Sequence, residues 1–434
     1  MFGDMVHVIY LALVMINISF TLVLSSKNVE YFKVEPLQDP VTYQINVLTT
    51  ASTSVCEKEF LSVAIDTNSV RNNWIGIDFG STKLKNLAKA LVPVDLRFGG
   101  ERADFLIFDP NATSSHEETK QDLNAITNFV MSGRQFDNLT TFVKEVGWNF
   151  IFDFNVFLRD NGTWDSSNAD LILKYSDAKG VNISSFQLGN EPDLYARQFN
   201  VSITPSQLVE SFQLLKDLIA NYPKYKDGAL FGPGVTNLGV RSRSMTYLRL
   251  FIEAGGANVT NEIGIHHYYQ NGAIATIEDF YNTTLMDSLK IVLDVALNLT
   301  KVVPHRVPIR LTETSSCYGG GAPNLSNTYA AGFLWLDKLG IAAQYGLTRV
   351  FRQTFISGSY ALVATGTLDP NPDFYLSVLF KRLVEGPVFP VIAQPELGKV
   401  RVYGHCARTD VFSYPPGALV LYYINLLDED VILS

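Results

Sequence analysis

The sequence predicts a (β/α)₈ TIM barrel followed by a smaller C-terminal β-sandwich domain whose set of strands looks truncated. Three observations carry that expectation. Eight short apolar runs alternate with helical periodicity between residues 60 and 355, a pattern that gives a parallel sheet wrapped by helices. The helical pattern stops near residue 386, and strand-like runs divided by a Tyr-Pro-Pro-Gly turn (414–417) follow. A chain of 434 residues with 47% hydrophobic and 12% aromatic content can build one large core and a small second one.

Taken in order, VIYLALVMINISFTLVL (8–24) reads as a secretory signal within 1–26, with Ser25 and Ser26 near a plausible cleavage point. An uncleaved anchor is the alternative. VTYQINVL (41–48) alternates polar and apolar residues like a half-buried strand, and 41–58 is assigned to the β-domain. The barrel spans 59–386. Its strands are FLSVAID (60–66), PVDLRFG (93–99), NFIFDFNV (149–156), ISSFQLG (183–189), ALFGPGV (229–235), EIGIHHYY (262–269), VPIRLTE (307–313) and RVFRQTF (349–355). Between them lie helical patterns such as SQLVESFQLLKDLIANY (206–222), with apolar residues three and four apart. The polar, charged stretch 111–134 is expected to be an exposed loop or a weak helix. KVRVYGHC (399–406) and ALVLYYINL (418–426) are the strands of a partial β-sandwich over 387–434.

The formal charge of −9 and pI near 5.2, without a Lys/Arg-rich stretch, exclude a nucleic-acid binder. Asn-x-Ser/Thr signals at Asn111, Asn138, Asn161, Asn182, Asn200, Asn258, Asn282, Asn298 and Asn324 suit a secretory route and require surface positions. Cys56, Cys317 and Cys406 are the three cysteines, an odd number that leaves at least one unpaired. No C-x-x-C or H-E-x-x-H spacing occurs, so neither a metal nor a cofactor is expected.

Two glutamates each end an apolar run: Glu191 in FQLGNEPDLY (186–195) and Glu313 in RLTETSSCYGGGAP (310–323). Singly, each reads as a helix-start or surface carboxylate. Together they fall at the C-terminal ends of the fourth and seventh barrel strands, where barrel enzymes carry their chemistry. A carboxylic acid and a carboxylate facing each other are what glycosidic-bond hydrolysis requires. Asn190 beside the acid can bond a sugar 2-hydroxyl, and Pro192 stiffens the strand exit. His266-His267-Tyr268-Tyr269 ends the sixth strand, so a tyrosine there can donate to Glu313 and keep it ionised; a structural histidine pair and, less readily, a metal site are the alternatives. Gly319, Gly320 and Gly321 allow close approach of backbone to a ligand, or simply turn the chain. GIDFGSTK (76–83) resembles the phosphate loop of actin-like ATPases but is set aside, since STKLKNLAKAL (81–91) continues as a helix where that fold has a hairpin.

LRFGGERADFLIFDP (96–110), LGNEPDLY (188–195), HHYYQNG (266–272), ETSSCYGGGAP (313–323), AAGFLWLDKLG (330–340) and RQTF (352–355) together resemble the heparanase family, glycoside hydrolase family 79, of endo-β-glucuronidases. The resemblance spans most of residues 40–430. It implies a retaining endo-β-glucuronidase cleaving heparan sulfate or a related glycosaminoglycan, with Glu191 as proton donor and Glu313 as nucleophile. Asp66, Asn68, Asn190, Arg241, Tyr268, Tyr318, Gly319, Gly320, Gln353 and Tyr360 would line the sugar sites. Alternatives are a non-catalytic heparan-sulfate-binding homologue and an exo-acting β-glucuronidase. The implied protein is a single-chain monomer, secreted or lysosomal, with membrane or cell-surface association through proteoglycan or an uncleaved anchor as the other option. Ala273 stands where the family suggests an arginine and Glu101 where it suggests a neutral residue, which weighs against heavy sulfation of the substrate. Cys406 matches a cysteine whose family partner would lie past residue 434.

Overall fold

The computed structural model describes residues 8–11, 40–113, 127–239, 242–412, 414–415 and 417–434. It divides into two compact units, Cys56–Arg382 and a second formed by Met1–Val55 with Leu383–Ser434. The divides fall at 55/56 and 382/383, not at 58/59 and 386/387, because the last barrel helix runs directly into a strand at Val384.

The larger unit is a closed eight-stranded parallel barrel. We number its strands β1 (Leu61–Asp66), β2 (Asp95–Gly99), β3 (Asn149–Phe154), β4 (Ile183–Leu188), β5 (Ala229–Val235), β6 (Glu262–His267), β7 (Ile309–Thr314) and β8 (Val350–Arg352). Each is followed by a helix: α1 (Thr82–Lys89), α2 (Gly133–Val146), α3 (Ser167–Ala178), α4 (Pro205–Ala220), α5 (Ser242–Glu253), α6 (Thr283–Thr300), α7 (Tyr329–Gln344) and α8 (Pro372–Leu383). Strands buried on both faces have no solvent side to alternate with, so they read as continuous apolar runs. β1, β2 and β7 are buried along nearly their whole length.

Local sequence starts the helices where the barrel needs them. Thr204, Pro205 and Gln207 open α4 with proline at its first position and a reciprocal capping box, which satisfies backbone donors that have no partner within the helix. Ile151, Phe231 and Phe351 fill the barrel interior. Beneath the Phe231 ring lies the Arg310 guanidinium, 4.4 Å from its centroid and ion-paired to Glu262 at the start of β6. Polar chemistry at that end is therefore structural, and the opposite end is left for ligands.

The stretch 111–134 differs from the expected exposed loop. Phe129–Ser132 is a strand paired in parallel with Leu106–Asp109, and Ser132 with Gln135 forms the capping box of α2. The apolar Phe129 and Met131 are buried there; residues 114–126 lie outside the described residues.

In the smaller unit one sheet has the strand order Val8–Leu11, Leu419–Asn425, Val400–Ala407, Val384–Phe389, Ser54–Cys56, and a second joins Val391–Gln394, Val41–Val47 and Val431–Leu433. Tyr43, Val400 and Val402 form a core with Val41, Ile45 and Val391 packed against it. Of the segment 1–26 read as a signal or anchor, Val8–Leu11 is a strand beside Leu419–Tyr422 and the remainder lies outside the described residues. Among the described residues no helix is long and apolar enough to cross a membrane, and no disulfide joins Cys56, Cys317 and Cys406. The asparagines of all the glycosylation signals named above are exposed.

Candidate active site

The site is built at the C-terminal ends of β2, β4, β6 and β7. Chain exit from β4 is tightly set. Gly189 has φ +79°, and a Cβ there would meet the Tyr195 hydroxyl at 2.7 Å. Glu191 adopts a left-handed backbone (φ 52°, ψ 54°), a sparsely used conformation for a side-chain-bearing residue. Pro192 disfavours the right-handed helical region for the residue before it, and the Glu191 N–H is tied to the Gly234 carbonyl at 3.1 Å. Sequence and barrel together thus aim this carboxyl inward.

Opposite it, Glu313 on β7 is held on both oxygens. The Tyr268 hydroxyl donates to Oε1 at 2.8 Å, and Arg97 Nη1 donates to Oε2 at 3.0 Å. Tyr268 is fixed in turn by paired bonds between its backbone and the Asn237 side-chain amide (2.7 and 3.0 Å). His266 Nδ1 lies 3.0 Å from Glu191 Oε1. One ligand atom from each of Glu191, His266 and Glu313 lies within 4.8 Å of the others. Such a trio has the donors to hold a metal ion. A cation entering there would oppose the guanidinium already in contact with Glu313.

The two carboxyl groups are driven apart electrostatically. Burial pushes Glu191 above the ordinary value of 4.5, and the Glu313 charge adds to the push while His266 opposes it. Burial also works upward on Glu313, but His266, Arg97 and the Tyr268 hydroxyl outweigh it and hold the group below 4.5. One group is set to keep its proton and the other to lose it, the division of labour that acid–nucleophile pairs need.

A buried network stands behind the pair. Arg97 is fully enclosed and also donates to Gln187 (2.8 Å), Asn190 Oδ1 (2.7 Å) and Asp153 (3.3 Å). Burial raises Asp153 to about 8 and Asp104 well above the ordinary aspartate range. Burial thus disfavours the charged form of both carboxyls, which favours Glu313 as the partner of the Arg97 charge. The Asn190 N–H is held by Asp104 Oδ2 (3.2 Å) and the Tyr195 hydroxyl (2.9 Å), so the amide beside Glu191 is fixed from two sides.

Of the residues expected to line the sugar sites, Asn190, Tyr268, Tyr318 and Tyr360 come together around the pair. The Tyr268 ring packs against Tyr360 at 6.4 Å and Tyr318 at 6.5 Å. Gln353 Nε2 donates to Asp66 Oδ2 at 2.9 Å. Asp66 is lifted to about 6, chiefly by burial, with the Asn68 N–H opposing and Glu313 assisting. Gly100 (φ +112°) leaves room for this carboxylate, since a Cβ there would lie 2.5 Å from Asp66 Oδ2. Asn68 gives its backbone N–H to Asp66 at 2.8 Å, and its side chain is exposed. Gly319 and Gly320 sit in an accessible turn of positive φ. Arg241 lies outside the described residues.

Sequence reasoning missed the roles of Arg97, Gln187, Asp104 and Asp153, and left His266 as one of an undivided pair. The signal was present for Arg97: a cation inside the apolar strand DLRFG (95–99) cannot be buried without partners. Removing a hydrogen bond to a charged group costs about 1.5–3 kcal/mol. Tyr268→Phe is therefore expected to lower kcat about 10- to 100-fold by that figure. It also removes a donor that favours ionised Glu313, so the acid limb of the kcat/KM–pH profile is expected to move to higher pH. A profile superposing on that of the unmodified protein would deny the contact a role.

Residues 66–340 match the family model described as glycosyl hydrolase family 79, N-terminal domain. The chain is 38% identical to heparanase of Bos taurus over 408 residues, covering 85% of this chain and 74% of the relative. It is 32% identical to hyaluronoglucuronidase of Hirudo nipponia, covering 90% and 83% of the two chains. Identity to inactive heparanase-2 of Homo sapiens is 30%, with 90% and 76% covered. Among solved structures, a 4-O-α-L-rhamnosyl-β-D-glucuronidase from Fusarium oxysporum 12S superposes with a TM-score of 0.63 at 16% identity, over 84% of this chain and 78% of that one. That last likeness bears on the fold alone.

Proposed function

Since the chain belongs to glycosyl hydrolase family 79, we propose that it is a retaining endo-β-glucuronidase acting on heparan sulfate or a less sulfated glucuronan. The observation that carries the reading is the approach of the Glu191 and Glu313 oxygens to within 4.8 Å, with their proton affinities displaced in opposite directions. Retaining glycosidases hold their carboxyls about 5–5.5 Å apart, whereas inverting ones leave ~6.5–9.5 Å for a water.

In this reading Glu313 attacks the anomeric carbon while Glu191 delivers its proton to the leaving oxygen. Glu191, now a carboxylate, then takes a proton from the water that releases the sugar. Asn190 bonds the 2-hydroxyl, and Arg97 with Tyr268 keeps the nucleophile ionised and aimed. The test is stereochemical. Proton NMR during hydrolysis of an aryl β-glucuronide should show β-glucuronic acid first, with the α-anomer appearing only by mutarotation. Initial release of the α-anomer would mean inversion and remove Glu313 from the role of nucleophile.

The similarity to inactive heparanase-2 gives a non-catalytic glycan-binding protein as the second reading. Saturable oligosaccharide binding without cleavage at acidic and neutral pH would decide for it. The exposed glycosylation signals accord with a secreted or lysosomal monomer, which completes the proposal.

A further inference from the structure

Resting on the glucuronidase reading, we infer that the chain cuts preferentially where the sugar lying over the β6–β8 side of the barrel mouth carries no sulfate. The barrel closes in the order β4, β5, β6, β7, β8, β1, β2, β3, so the loops after β6, β7 and β8 form one continuous arc beside Glu313. Those loops (268–282, 315–328 and 353–371) contain no lysine or arginine, and they contain Glu278, Asp279 and Asp369.

Four cations close to this arc are already committed to protein groups. Arg352 gives Nε and Nη2 to the Tyr360 carbonyl (3.0 and 2.6 Å) and Nη1 to Asp373 (2.7 Å). Lys338 is fully buried and donates to Thr314 Oγ1, the Ser315 carbonyl and the His267 carbonyl (2.6, 2.7 and 3.3 Å). Lys83 reaches the arc from α1 and is held there by Asp369 (2.5 Å) and the Thr367 carbonyl (3.0 Å). Arg97 has four protein partners, as described above.

The arc instead presents neutral chemistry. Tyr318 is 40% exposed, Asn271 is hydrogen-bonded within the loop at the turn, and Gly319 and Gly320 are accessible. Aromatic faces, amides and hydroxyls suit an uncharged sugar. A sulfate placed here would lose water and meet Glu278 and Asp279 on loops that carry no lysine or arginine.

The far side of the mouth differs. Arg102 follows β2, Arg197 follows β4 and Arg243 begins α5. Arg197 is exposed, while Arg102 and Arg243 are only loosely paired, to Glu101 at 3.4 Å and Asp193 at 3.5 Å. Among the described residues Arg102, Arg197 and Arg243 give the far rim cations that the loops after β6, β7 and β8 lack, and tolerance of sulfate is assigned to that rim.

The test is digestion of heparan sulfate containing mixed sulfated and N-acetylated blocks by the full chain, with composition read at both new ends of every product. An aryl β-glucuronide is run alongside. On one side of the cut, the same side throughout, unsulfated sugar is expected to exceed its share in the polymer by about tenfold, the discrimination like-charge repulsion supplies. Fully unsulfated N-acetylated polymer should be cut as well. Hydrolysis of the aryl glucuronide, with sulfate on both sides of the cuts at its frequency in the polymer, overturns this inference and leaves the glucuronidase reading standing. No hydrolysis of either substrate overturns both.

Discussion

Glu313→Gln is expected to leave the protein folded and to lower kcat on an aryl β-glucuronide by on the order of 10⁴-fold or more, the scale on which loss of a covalent nucleophile is felt. The amide keeps the shape of the side chain but cannot form the glycosyl bond. It also removes the anion that Arg97 neutralises. The cost in stability is buffered, because Asp153 lies 3.3 Å from the same guanidinium and can ionise in compensation. The Glu313 charge helps raise Glu191, so the basic limb of any residual activity should move to lower pH. Thermal unfolding would confirm folding, and initial rates across pH would give both effects. Full activity in this variant would assign the nucleophile elsewhere.

How much of this was legible in the sequence depends on what each residue's signal rests on. The barrel strands were readable because a parallel strand buried on both faces, such as LSVAI (61–65), has no solvent-facing positions to blur its apolar run. Glu191 and Glu313 were readable because strand ends in this fold coincide with the site. The polar residues that tune them were not. Arg97 bonds Gln187, 90 positions away, and Glu313, 216 positions away, and no local pattern encodes contacts made only when the barrel closes. Asp104 looks like an ordinary surface acid in sequence, and Asp153, although it sits inside an apolar strand, has no local sign of its partners; burial gives both their character. Phe129–Ser132 was missed because its apolar residues end a polar stretch and pair with the sequence-distant Leu106–Asp109.

Glu191→Gln separates the two half-reactions and so tests the assignment of the acid most sharply. A polymer has a poor leaving group that must be protonated, and loss of general acid catalysis should lower kcat/KM on it by about 10²–10⁴-fold. An aryl glucuronide with a strongly acidic phenol needs little protonation, so its first step should be nearly unaffected while release slows for want of a base to activate water. The glycosyl-enzyme then accumulates, giving a burst of phenol equal to the enzyme present. Azide, which attacks without a base, should restore turnover. Because the basic limb of the profile reports the proton on Glu191, that limb should vanish in the variant, while the acid limb set by Glu313 remains. Asp66 is the informative alternative: it is buried near the pair and lifted to about 6, so it titrates in the range where an acid catalyst is expected. A basic limb persisting in Glu191→Gln and disappearing in Asp66→Asn would transfer the proton-donor role from β4 to β1.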